Sequence, residues 1–148
     1  MSGNHEAVRL TQVRDYQFDI TFGAGLPVLR ADEPAPLGSG TGPSPVQMLC
    51  SAVGNCLSAS LLFALRKFKQ APEPISAEVS AEVGRNAENR LRVLAIDAKL
   101  TLGVPAAALE HLDRVLATFE AYCTVTQSIA QGIPVRLSVF DSTGAQLK

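Results

Sequence analysis

What this chain of 148 residues has little of narrows its chemistry before any motif is read. Its three cysteines, an odd number, do not make the disulfide framework of a secreted domain. None belongs to a C-x-x-C pair, and His5 and His111 stand in no ligand-like spacing with them, so no metal site is expected. A phosphate loop, a dinucleotide fingerprint and a G-x-S-x-G elbow are all missing. With 13 Lys+Arg against 14 Asp+Glu the net charge is −1, which leaves no basic face for nucleic acid. The opening MSGNHEAVRLTQ is polar and lacks the charged start and apolar run of a secretory signal. The expectation is a cytoplasmic protein of one domain, residues 1–148, long enough to bury a core without staples.

Charge is also missing from one long stretch, and the rest of the pattern is organised around it. Ser44 to Lys67 reads SPVQMLCSAVGNCLSASLLFALRK. Ser44 as N-cap, Pro45 at the first helical position and Gln47 three residues after the cap form a capping box. No charge follows until Arg66 and Lys67, at the helix end where cations suit the dipole. Met48, Leu49, Val53, Leu57, Leu61, Leu62 and Leu65 go most of the way round this helix. A helix apolar on every side is either a membrane span or the centre of a core. Gln47, Asn55 and the interior serines oppose a span, and no second apolar segment accompanies it, so a buried helix with no membrane partner is expected.

Before it, Val8 to Val13 begins an alternation, and Tyr16, Phe18, Ile20 and Phe22 alternate with Gln17, Asp19 and Thr21. Arg14-Asp15 is the expected hairpin turn, Pro27 to Arg30 a short third strand, and DEPAPLGSGTGP (32–43) a loop. After it, Ile75 to Val83 alternates with one wet face, as an antiparallel sheet requires. The strand from Leu91 to Leu102 shifts phase, which predicts a bulge near Leu94. Gly103-Val104-Pro105 starts a second helix with Leu109, Leu112, Val115, Leu116 and Phe119 on one face. A short third helix, Val125 to Gln131, ends at Gly132, and Val135 to Phe140 is the last strand. Blocks of strands and helices place the fold in the α+β class. The central helix needs more cover than one half-wet sheet gives, so an obligate homodimer is expected.

The chemistry-bearing candidates each have a plain alternative. Cys56, beside Gly54 and Asn55, and Cys123, at the seam before the third helix, are either small buried hydrophobes or a reactive pair. At a helix start, unpaired N–H groups and the dipole favour a Cys123 thiolate, whereas Cys56 requires a neighbouring cation. Cys50 is read as core. Arg14 and Arg30 flank the N-terminal strands and are solvated unless one reaches a cysteine across a dimer. Asp32 and Glu33 are loop charges able to orient such an arginine, and Gln47 already serves the capping box.

SPVQMLCSAVGNCLSASLLFAL together with FEAYCTVTQSIAQGIPV resembles the OsmC/Ohr family of thiol-dependent hydroperoxide reductases, and the order of elements is similar over nearly the whole chain. The resemblance implies an intertwined homodimer, with antiparallel sheets wrapped around paired central helices and active sites at the subunit interface. It implies that Cys56 attacks an organic hydroperoxide to give a sulfenic acid, and that Cys123 resolves it as a disulfide. It implies Arg14 as activating arginine, with Arg30, Gln47 and Glu33 as possible supports. No cofactor is implied beyond an external dithiol or lipoylated protein as reductant. The chain departs from the family pattern at Val46 and Gln47, where the peroxidases carry a glutamate, and at Thr124, where they carry proline. These departures place it nearer the broad OsmC-like branch. Three functions stay open: a thiol peroxidase, a non-enzymatic protein binding a small hydrophobic ligand, and a dithiol redox sensor. Bridging the two cysteines requires Cα atoms closer than about 7 Å.

Overall fold

The computed structural model describes residues 3–148, in two compact units that meet between Met48 and Leu49. In the first, β1 (Arg9–Arg14), β2 (Gln17–Thr21) and β3 (Leu29–Ala31) form an antiparallel sheet in that order. The hairpin turns at Asp15, whose φ of 45° lies in the left-handed region that Asp tolerates better than most residues. Its carbonyl accepts a bond from Gln12 Nε2 at 3.0 Å. Asp19 and Arg30 face each other across β2 and β3, and Arg30 Nε donates to Asp19 Oδ1 at 2.5 Å.

The Pro- and Gly-rich loop after β3 is wound on one buried carboxylate. Asp32 accepts from the backbone N–H groups of Glu33, Ser39 and Thr41 at 2.8, 3.2 and 3.1 Å, and from Thr41 Oγ1 at 2.8 Å. These donors, the Thr41 N–H foremost, hold its pKa down to about 2. The loop delivers the chain to the expected cap. Gln47 N–H donates to Ser44 Oγ at 3.2 Å, Ser44 N–H donates to Gln47 Oε1 at 2.9 Å, and helix α1 runs from Pro45 to Lys67 as read from the sequence.

The second unit holds β4 (Ser76–Arg85), β5 (Leu91–Thr101) and β6 (Val135–Phe140). β4 and β5 pair antiparallel, and the register skips Leu94 between Glu82 and Val83, where the phase shift predicted a bulge. β6 has the expected bounds but pairs parallel to β5, which corrects the expectation of purely antiparallel sheets. The segment between them is long enough for the crossover that a parallel pair needs.

That segment is also more broken than its periodicity suggested. One continuous second helix was expected; a 3₁₀ turn at Ala106–Ala108 is followed by a break at His111 (φ 60°), then α2 (Leu112–Thr118), a second 3₁₀ turn (Phe119–Tyr122) and α3 (Thr124–Ile129). Distant side chains capture its first N–H groups: Asp141 Oδ2 accepts from Ala106 at 2.9 Å, and Gln70 Oε1 from Glu110 at 2.8 Å.

Helix α1 buries one stripe, Val53, Leu57, Leu61 and Leu65, at the four-residue spacing of a helix face. The stripe shares a core with Ile96, Leu100, Val139, Val115 and Phe119. Gly54 permits the close approach to β4, since a Cβ there would stand 2.7 Å from Val79 Cγ2. Burial on every side, the expectation for this helix, is not what one chain provides: Ser51, Ala52, Asn55, Ala59 and Phe63 are exposed along the opposite face. By length and composition alone α1, whose most apolar 18-residue stretch has a mean hydropathy of 1.8, is long and apolar enough to cross a membrane, a test that core helices of soluble proteins also pass.

Candidate functional site

Cys56 sits next to Leu57 at the edge of the buried stripe and is half-buried as a result. Cys123 is fully buried in the short seam between the second 3₁₀ turn and α3. Its N–H donates to the Glu120 carbonyl at 3.1 Å and its carbonyl accepts from Gln127 N–H at 2.9 Å, which fixes the residue from both sides. Its Sγ donates to Thr126 Oγ1 at 3.1 Å, and the Cys56 side chain is near enough to act on its ionisation. The structure therefore brings together the two cysteines named from the sequence.

Their chemistry is not the one a helix start suggests. Burial pushes the Cys123 thiol pKa up, and the neighbouring Cys56 side chain adds to the rise. Thr126, through its hydroxyl and its N–H, pulls the other way without reversing it. The expectation of a dipole-favoured Cys123 thiolate is thus overturned by desolvation, which disfavours the charged form. Cys50 is buried as expected, and burial raises its thiol pKa as well.

Cys56 also lies in the wall of a cavity of about 720 Å³ between the second half of α1 and α2. Most of that wall is apolar or aromatic, with Phe63, Phe68, Phe119 and Tyr122. Lys67 and Arg114 contribute two cations and no carboxylate lines it. Lys67 Nζ lies 5.5 Å from the Phe63 ring centre, and Arg114 Cζ lies 5.8 Å from that of Phe68, distances at which ring faces attract cations. None of these lining residues was foreseen. The available signal was Phe63, an aromatic off the Val53–Leu65 stripe of an otherwise aliphatic helix.

The remaining candidates belong to the first unit. Arg14 is exposed at the end of β1, with no carboxylate partner among the described residues. Arg30 pairs with Asp19 and not with Glu33 or Asp32, because the Asp32 carboxylate is engaged by the loop. Glu33 accepts the Gly40 N–H at its carbonyl, and Gln47 closes the capping box. Among the described residues no group of three or more His, Cys, Asp or Glu is placed to hold a metal ion.

A family profile described as OsmC-like protein matches residues 38–138. Among curated proteins none matches the chain in sequence. Solved structures similar to it include an OsmC-like protein of unknown function from Vibrio cholerae, 14% identical, covering 93% of this chain and 99% of that one, with a TM-score of 0.77. A Legionella pneumophila structure described as an organic hydroperoxide resistance protein OsmC is 17% identical, with 95% and 99% coverage and a TM-score of 0.72. The organic hydroperoxide resistance protein OhrB of Bacillus subtilis is 13% identical, with 92% and 98% coverage and a TM-score of 0.70. At these identities the likeness establishes the fold.

Proposed function

Because this chain belongs to the OsmC-like protein family, we propose that it is a thiol-dependent peroxidase that reduces organic hydroperoxides with Cys56 and Cys123. The observation that carries the reading is the nearness of a half-buried Cys56, in the wall of an apolar cavity, to a fully buried Cys123. A hydroperoxide in the cavity meets Cys56 first. Its sulfur attacks the distal oxygen, the O–O bond breaks, and the alkoxide leaves as the alcohol after taking a proton, so Cys56 becomes a sulfenic acid. Cys123 attacks that sulfur and expels water, leaving a disulfide. An external dithiol or a lipoylated protein returns both thiols. In this reading Arg14 supplies the activating cation, with Arg30, Gln47 and Glu33 in support, and a second copy of the chain covers the exposed face of α1 in a cytoplasmic homodimer.

The test is reduced protein given one equivalent of cumene hydroperoxide, then alkylation and peptide mass mapping within seconds. A Cys56–Cys123 disulfide, absent from Cys56→Ser, is expected. Free thiols at both positions after several minutes overturn the reading. They favour the second one, a protein that binds a small hydrophobic ligand, which the apolar cavity wall supports.

A further inference from the structure

Thr126 is a buried hydroxyl with an unusual partner. It is 1% exposed, and its Oγ1 lies 3.1 Å from Cys123 Sγ. Two other helical hydroxyls show the ordinary alternative: Thr118 Oγ1 donates to the Arg114 carbonyl at 3.0 Å and Ser128 Oγ to the Thr124 carbonyl at 2.9 Å, each four residues back. Thr126 is turned to sulfur instead.

Resting on the reading that Cys123 resolves a Cys56 sulfenic acid, we propose that Thr126 is the positioning residue of the disulfide-forming step: its hydroxyl aims the Cys123 sulfur at Cys56 and stabilises the charge that develops on it. In the resting thiol, Cys123 donates to Thr126 Oγ1. As the thiol loses its proton the hydroxyl rotates and becomes the donor, since a threonine oxygen can do either. In the step itself the Cys56–Cys123 S–S bond forms and the Cys56 S–O bond breaks. The departing hydroxide takes the Cys123 proton and leaves as water, so no oxidant beyond the hydroperoxide is required. A buried sulfur needs such a donor, because desolvation opposes its thiolate. The interactions that favour charge on Cys123 both come from Thr126, its hydroxyl and its N–H, and Thr126→Val removes only the first.

The experiment follows two rates after mixing with cumene hydroperoxide: Cys56 sulfenic acid, trapped by dimedone, and Cys56–Cys123 disulfide, read by mass. Thr126→Val keeps the shape, and Thr126→Ser keeps the hydroxyl. The ratio of the disulfide rate to the sulfenic acid rate is expected to fall about tenfold in Thr126→Val, the order expected for a lost hydrogen bond to a charged group, and to recover in Thr126→Ser. An unchanged ratio in Thr126→Val, or an equal fall in Thr126→Ser, overturns the proposal. If the unsubstituted chain forms no sulfenic acid, the peroxidase reading fails on its own. Diamide, which places a leaving group on Cys56 without peroxide, then decides the role of Thr126 by the same comparison of variants.

Discussion

Two neighbouring sulfurs differ here in their access to water, and on the peroxidase reading proposed above that difference divides their labour. Cys123 and Cys50 are buried and hold their protons above the usual thiol range, whereas Cys56 is half-exposed at the cavity wall. In native protein at neutral pH, iodoacetamide is expected to label Cys56 at least about tenfold faster than either of the others, because thiolate and access together set thiol reactivity. Time-resolved peptide mapping measures this, and equal labelling of all three would remove the asymmetry. The sequence made Cys56 and Cys123 visible as candidates and placed Cys123 at a helix start. It did not reveal that the site is dry. Burial there arises from a core shared with distant residues such as Leu57, Ile96 and Val139, which no local motif at Cys123 encodes.

Local signals also decide which elements could be read. The bounds of α1 followed from Ser44, Pro45, Gln47 and the terminal cations, all contained in the helix itself. The bulge at Leu94 followed from the phase of its own strand. The broken start before α2 did not, because the side chains that accept its N–H groups, Asp141 at Ala106 and Gln70 at Glu110, lie 35 and 40 residues away in the chain. Asp141 acts in the second unit as Asp32 does in the first. It accepts from Thr143 N–H and Oγ1 and from Ala145 N–H as well as from Ala106, and these bonds hold its pKa down to about 2. Both carboxylates bind protons less tightly in the folded chain than at the ordinary value of 3.8. Their contribution to stability is therefore complete above pH near 3.8 and is lost as pH falls toward about 2. Denaturant midpoints measured between pH 5 and 2 are expected to fall with pH. Asp141→Asn should lower the midpoint at pH 5 and flatten that fall, and a slope unchanged in Asp141→Asn would refute the assignment. Gly54→Ala tests the contact between α1 and β4. Overpacking against Val79, about 1–3 kcal/mol, is set against a gain in helix propensity of up to about 1 kcal/mol. A net loss of about 1 kcal/mol in chemical denaturation is expected, and a stabilised variant would show that β4 yields.

Across the whole molecule, the α+β class was legible because strands and helices come in blocks, while the parallel β6 was not, since residue alternation carries no strand direction. Nor was the cavity, which joins α1 to α2, residues far apart in sequence. On the peroxidase reading proposed above, its charge selects among hydroperoxides. Cys56 and Lys67 lie on the same helix, on the order of 16 Å apart along its axis at 1.5 Å per residue. Aromatic side chains line the wall with them, and Lys67 and Arg114 meet no carboxylate there. An apolar wall bearing two cations suits a hydroperoxide with an anionic group remote from the peroxide, since charge attracts the one end and burial the other. Replacing both cations, Lys67→Ala with Arg114→Ala, is expected to raise KM about tenfold for a carboxylate-bearing long-chain hydroperoxide and far less for uncharged cumene hydroperoxide. The difference should shrink as salt rises, because exposed charges are screened over about 10 Å at 0.1 M. Equal changes in KM for the two substrates would mean that the cations act through packing against Phe63 and Phe68 and not through charge.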